Sequence, residues 1–190
     1  MILTHGANSL DNNVIYQFNL DKFDTQTLKD GDRQWKDTSG RLTFTKASDG
    51  LVINFTSGTK QYFSLVLPEF STLPKFRVRG KWGGSLPYQS FFGFAELSLY
   101  GGNGSIPGFW RKLNGNWSTV FQQSLPAPNT VDMTFTRNDN KFDVDVFRNG
   151  SYVGTTQCDH SYDTIHHNVD YNGSSNNGTI KLYELLITKE

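Results

Sequence analysis

Cysteine is nearly absent from this sequence, and that absence sets the first boundary. Cys158 stands alone among 190 residues, so no intrachain disulfide framework can staple the fold. Glutamate is almost as scarce. Glu69, Glu96, Glu184 and Glu190 are the full set, and none has a second carboxylate two or four positions away. Net charge is missing too: Lys plus Arg and Asp plus Glu are both 18. A chain without excess positive charge exerts no long-range pull on a polyanion, so nucleic acid and anionic membrane are not expected partners. No apolar run approaches the roughly 20 residues of a membrane helix. No basic segment followed by an apolar one opens the chain, so no signal peptide is expected, and synthesis and folding in a reducing cytoplasm are. No segment sustains an apolar period of 3.6, which leaves no clear helix.

What is present favours sheet. Aromatics make up 14% of the chain, with 15 Phe and 8 Tyr, and rings pack well across the pleat of paired strands. Short alternating runs are separated by turn chemistry every ten or so residues, the pattern of an all-β, two-sheet antiparallel β-sandwich. Strands are expected near 14–20, 41–46, 51–55, 61–68, 75–82, 90–99 and 108–113. Others are expected near 117–122, 130–137, 141–148, 151–157, 164–171 and 179–188. Residues 1–12 read as a short N-terminal arm and 13–190 as a single sandwich domain. The strongest local signal is a tandem hairpin. Val131, Met133 and Phe135 alternate with polar residues, Asn138-Asp139-Asn140 turns the chain, Phe142, Val144 and Val146 continue, and Asn149-Gly150 turns it again. Asn-Gly suits a type I′ turn, whose central residues both need positive φ. The same pair recurs at Asn103, Asn114, Asn172 and Asn177. Six Asn-x-Ser/Thr sequons occur, which 16 Asn followed often by Gly explain by chance.

The segment from Phe142 to Thr155 with its Asn149-Gly150 turn resembles a hairpin of the concanavalin A-like and laminin-G-like superfamily. The ending Gly178-Thr179-Ile180-Lys181-Leu182-Tyr183-Glu184-Leu185-Leu186-Ile187 is similar to that superfamily's last strand, which returns beside the first. Phe92-Gly93-Phe94 fits its interior strands. The resemblance implies a jelly roll. Its members include lectins, carbohydrate-binding modules, glycosidases and protein-binding domains, so a fold of this kind leaves function to be argued from the site. The glucanase motif of the superfamily, Glu-x-Asp-x-x-Glu, is absent. The opening from Ile2 to Leu10 resembles short openings on tail and baseplate proteins of phages infecting Gram-positive bacteria. That implies a virion setting and a cell-wall saccharide as target.

Three constellations could carry chemistry. Trp110 and Trp117 flank a polar turn containing Arg111, Asn114 and Asn116, just after a Gly-rich loop with Asn103; Gln122 lies nearby. Trp82 and Tyr88 bracket a second loop. Sugar rings stack an apolar C–H face on indole while their hydroxyls bond to forked polar groups, so these residues suit a saccharide. The plainer reading makes some of the rings core or lid residues. Asp143 and Asp145 share a strand face at i and i+2 and more simply form its polar side. Cys158, Asp159, His160, Asp163, His166, His167 and Asp170 crowd together, yet no paired metal-ligand spacing appears among them. His166 and His167, adjacent on a strand, point to opposite faces. No metal site is assigned, calcium being the one cofactor left open. Cys158 reads as a buried, inert thiol. No catalytic residues are expected. The residues point to a non-catalytic carbohydrate-binding module. The alternative is a structural or assembly protein whose aromatics meet virion or homo-oligomer partners.

Overall fold

A computed structural model describes residues 13–55, 61–85, 89–101, 108–122, 129–160, 164–169 and 178–190. In chain order its strands begin with β1 (Val14–Gln17), β2 (Phe23–Asp24), β3 (Lys29–Asp30), β4 (Arg33–Asp37), β5 (Thr43–Ala47) and β6 (Gly50–Phe55). They continue with β7 (Gln61–Val66), β8 (Lys75–Ser85), β9 (Gln89–Phe94), β10 (Leu97–Gly101), β11 (Gly108–Leu113) and β12 (Asn116–Val120). The last are β13 (Asn129–Asn138), β14 (Lys141–Arg148), β15 (Ser151–Asp159), β16 (Thr164–Val169) and β17 (Gly178–Lys189). A 3₁₀ turn, Pro68–Ser71, follows β7. The expected arm, residues 1–12, lies outside the described residues.

Two antiparallel sheets result. One runs β15-β14-β13-β8-β17-β6-β5 with β1 added beside β17, and the other β12-β11-β10-β9-β16-β7-β4-β3-β2. β13 and β17 flank β8, and β9 and β7 flank β16, so distant strands interleave as in a concanavalin A-like jelly roll. The last strand does return beside the first: Gln17 pairs with Leu186.

Alternation decides what fills the gap between the sheets. On β13 and β14 every second residue (Val131, Met133, Phe135, then Phe142, Val144, Val146) is buried, and the intervening ones are not. Those side chains meet the other sheet through Phe94, whose ring lies 5.0 Å from Phe76, 4.8 Å from Phe135 and 5.9 Å from Phe142. Phe70 on the 3₁₀ turn closes this cluster, 4.6 Å from both Phe76 and Phe94. A second cluster centres on Trp35, stacked on Phe63 at 4.4 Å. Its indole N–H donates to the Tyr16 hydroxyl (3.1 Å), which donates to Asp30 Oδ2 (2.7 Å). Burial pushes the Tyr16 hydroxyl far above the usual phenol range, so it stays a donor.

Two features depart from the expected strands. Residues 90–99 form two strands, because the chain reverses at Ala95-Glu96, with Phe94 paired to Leu97. Ala95 takes φ 49, and a buried Ala-Glu turn carries none of the Gly, Asn or Pro that announces a hairpin. β2, β3 and β4 were not expected: two of them are two residues long, and the polar surroundings of Trp35 hide the third. The Asn149-Gly150 and Asn114-Gly115 pairs do close hairpins, at φ 49 and 80 and at φ 53 and 79, while Asn103, Asn172 and Asn177 lie outside the described residues.

Phe94→Ala removes the ring that meets Phe76, Phe135 and Phe142 of the opposite sheet. It is expected to cost about 3–5 kcal/mol in equilibrium denaturation. The half-buried Phe44→Ala, at the core's margin, is expected to cost clearly less.

Candidate functional site

β11 and β12 form a hairpin at the end of the nine-stranded sheet, with Trp110 opposite Thr119 and Lys112 opposite Trp117. Phe109 is fully buried, so alternation turns Trp110 and Lys112 to the outer face, along with Trp117 and Thr119 on the partner strand. Trp110 is 37% exposed and Trp117 51%. Their ring centroids are 6.1 Å apart with planes inclined at 37°. The two indoles sit on a diagonal of the ladder and make one continuous apolar platform. Lys112 adds a cation at its corner, steadied by Glu96, whose carboxylate lies 3.5 Å away and is almost wholly buried.

The reverse face of this hairpin holds it in place. Arg111, with opposite alternation, donates through Nη1 to Thr156 Oγ1 (2.7 Å) and to the Gln157 carbonyl (3.2 Å), both on β15 of the other sheet. At the Asn114-Gly115 turn two successive backbone N–H groups converge on one carboxylate. Asn114 N–H donates to Asp159 Oδ1 and Gly115 N–H to Asp159 Oδ2, each at 2.9 Å. Backbone N–H groups presented this way form a small anion cradle, here filled by the chain's own Asp159. The Gly115 bond, then the Asn114 bond, holds the Asp159 carboxyl below the usual range. At the other end of the hairpin Phe121, at φ 52, lays its ring on Gly154, where a Cβ would come within 2.5 Å of it. Gly154 itself has φ 153, so a side chain there meets both the ring and backbone strain. Three contacts along β15 therefore clamp the hairpin.

The residues singled out from sequence divide accordingly. Trp110 and Trp117 come together. Arg111 does not join them: it is a tether between sheets, because its odd position points it inward. Asn114 contributes its backbone to the cradle, and Asn116 donates its side-chain amide to the Asn114 carbonyl (3.2 Å). Gln122 is exposed just beyond β12. Trp82 is a correction. It is fully buried, packed across Gly80 within the core, because its place on β8 has the inward alternation of Phe76 and Val78. It offers no ring to a ligand. Tyr88 and Asn103 lie outside the described residues. Lys112 and Thr119 were not among the expected contacts, and Asp159 was singled out only within the Cys158–Asp170 cluster, not as a partner of this turn. Lys112 and Thr119 were legible as i+2 neighbours of the two tryptophans, whereas Asp159 is distant in sequence and has no local signal.

The described side chains of the Cys158–Asp170 stretch, Cys158, Asp159 and His160, each have separate partners rather than a common centre. Cys158 faces the core, where burial pushes its thiol up to about 12. Asp159 is bound to the turn, and His160 Nδ1 accepts from Arg137 (2.7 Å) while its ring lies 4.6 Å from Phe142. Among the described residues no group of three or more metal-ligating side chains forms. Asp163, Asp170 and the side chains of His166 and His167 lie outside the described residues.

No protein-family model matches this sequence, and no curated protein matches it significantly. Solved structures do share its fold. A chain of botulinum neurotoxin type C, whose cell entry depends on interaction with two ganglioside molecules, superposes with TM-score 0.61 at 11% identity over 93% of this chain. This chain spans 47% of that one, and 18% of a sialidase that also matches. Domain 4 of AbnA, an extracellular arabinanase from Geobacillus stearothermophilus, in complex with arabinotriose, gives TM-score 0.55 at 15% identity, covering 93% of this chain and 92% of that one. A legume lectin-like domain from Entamoeba histolytica gives 0.52 at 12%, covering 83% and 90%. At these identities the likeness is one of fold, that of an antiparallel β-sandwich.

The clamp makes two predictions. Asp159→Asn keeps the shape but leaves one oxygen for two N–H groups, so the circular-dichroism exciton band of the coupled indoles should weaken while the core unfolds at nearly the same denaturant concentration. In the parent protein the carboxylate is fully effective above the ordinary Asp value of about 4 and is lost as pH falls through its lower folded value, so the same band should fade only below about pH 4. Cys158 should resist thiol reagents at pH 8 until the protein is denatured; labelling of the folded protein would contradict its placement.

Proposed function

We propose that this chain is a non-catalytic carbohydrate-binding module whose contact with saccharide is the Trp110–Trp117 platform. The observation that carries this reading is a pair of exposed indoles, 6.1 Å apart, on a hairpin immobilised from behind. Indole faces offer an apolar surface to sugar C–H groups. Fixing them before the ligand arrives removes ordering cost from binding. Lys112 and Thr119 stand at the other two corners of the ladder and supply donors to sugar hydroxyls. The arabinanase domain in complex with arabinotriose and the lectin-like domain support a saccharide as the ligand class.

A binding role is favoured over turnover by how the acids are used. Glu96 is buried against Lys112. Asp143 accepts from Gln157 (2.6 Å) and Asn138 (3.0 Å), and Asp145 accepts from Thr155 (2.5 Å). Asp143 and Asp145 are engaged on the other sheet, away from the platform, and Glu96 is buried at its edge. The biological setting we propose is adhesion to a cell-surface or cell-wall saccharide. Its placement in a phage virion rests on the resemblance of the opening residues.

The test is titration of the purified protein against neutral oligosaccharides and cell-wall polysaccharides, with and without calcium. Trp110→Ala and Trp117→Ala are each expected to weaken binding about tenfold or more, on the order of 1.4 kcal/mol, without moving the denaturation midpoint. If the folded protein binds no glycan and instead self-associates through the same two rings, the platform is a subunit interface and the chain an assembly protein.

A further inference from the structure

The outer face of the other sheet carries a second aromatic surface with its own polar ladder. On β14 and β15 the outward cross-strand pairs are Phe147 with Tyr152, Asp145 with Thr155, and Asp143 with Gln157. Tyr152 and Thr155 are three residues apart and would face opposite ways on a regular strand. They share a face because the register shifts at Val146/Phe147, leaving Val153 as the extra residue of a bulge. Bulges re-aim side chains in this way.

Tyr152 is 58% exposed, more than either platform tryptophan, yet it is not free to swing. Its ring packs 5.2 Å from Phe147. Thr155 has a single hydroxyl hydrogen and gives it to Asp145 Oδ1 (2.5 Å), so the Tyr152 hydroxyl must donate to Thr155 Oγ1 (2.7 Å). The relay fixes the ring at its far end. Two residues along, a distance of roughly 7 Å, Gln157 donates to Asp143 Oδ1 (2.6 Å) and Asn138 to its Oδ2 (3.0 Å). The strip is thus a fixed exposed ring followed by two carboxylate–donor pairs in line.

We propose that this strip is a second binding site, for a short neutral oligosaccharide lying along β14 and β15, with one sugar stacked on Tyr152 and the next hydroxyls on Asp145 and Asp143. The ligand class rests on the reading of the chain as a carbohydrate-binding module; the site shares no residue with the tryptophan platform. Neutral side-chain donors already occupy three of the four carboxylate oxygens. That leaves acceptor lone pairs suited to hydroxyl hydrogens, a different arrangement from a cation cage of converging ligands, and no such cage forms among the described residues. On the next strands Arg77 and Asp132 pair with each other, so the charge beside the strip is self-neutralised.

Backbone amide NMR of the full chain, titrated with arabinotriose and with neutral cello- and galacto-oligosaccharides, separates the two sites. The expected result is a second set of shifts over residues 143–147 and 152–157 that persists in a Trp110→Ala/Trp117→Ala double variant. Tyr152→Ala should weaken that set about tenfold, and Tyr152→Phe, which keeps the ring and loses the relay, should weaken it less. Shifts confined to the β11–β12 hairpin and indifferent to Tyr152 would overturn this site and leave the platform standing. Shifts confined to the strip would do the reverse. No shifts with any of these sugars would overturn both, and concentration-dependent shifts of the strip without sugar would make it a protein contact instead.

Discussion

Two hydrogen bonds to one carboxylate hold the tryptophan hairpin against the opposite sheet. Asp159 on β15 belongs to one sheet and the Asn114-Gly115 turn to the other. β12 is exposed on both faces along most of its length, so the core grips this end of the sheet chiefly through Phe109, Val120 and Phe121. Without the cradle and the Arg111 tether, the hairpin would be an overhanging ribbon. With them it is a rigid shelf on which two indoles can stay exposed without collapsing inward. The exposed pair of tryptophans thus sits on strands held by polar contacts from Arg111 and the Asn114-Gly115 turn.

The rest of the molecule is built to make β15 a dependable anchor. It is the outermost strand of its sheet, a position that would ordinarily fray. Here its inward residues Thr156 and Cys158 are buried, and β14 beside it joins the Phe76–Phe94–Phe135–Phe142 cluster. One strand serves both faces: its inner side and edge carry the clamp, and its bulge turns Tyr152 outward. Zero net charge fits this economy, because neither aromatic surface relies on long-range attraction.

Much of this was legible in the sequence, for identifiable reasons. Alternation over 130–148 and the Asn149-Gly150 pair announced the central strands directly, and the neighbouring tryptophans around Asn114-Gly115 marked the platform. What stayed hidden shares one cause: it is set by contacts distant in sequence. Ala95 reverses the chain inside the core without a turn residue, and Trp35 draws short polar strands into the sheet. Trp82 and Trp110 look alike in sequence, each beside a glycine-rich loop. The inward parity of Trp82 on β8, between β13 and β17, buries the first, and the outward parity of Trp110 on β11, next to the sheet's last strand, exposes the second. Arg111 was placed among sugar contacts when its strand parity already pointed it inward.

The four indole N–H groups give the most direct test of the central claim. In a proton–nitrogen NMR spectrum, Trp35 and Trp82 report on the core, Trp110 and Trp117 on the shelf. On addition of a saccharide that binds, this account predicts that the two shelf resonances move together and saturate while the two core resonances stay fixed. Binding that leaves Trp110 and Trp117 unmoved, or that shifts all four alike, would contradict it.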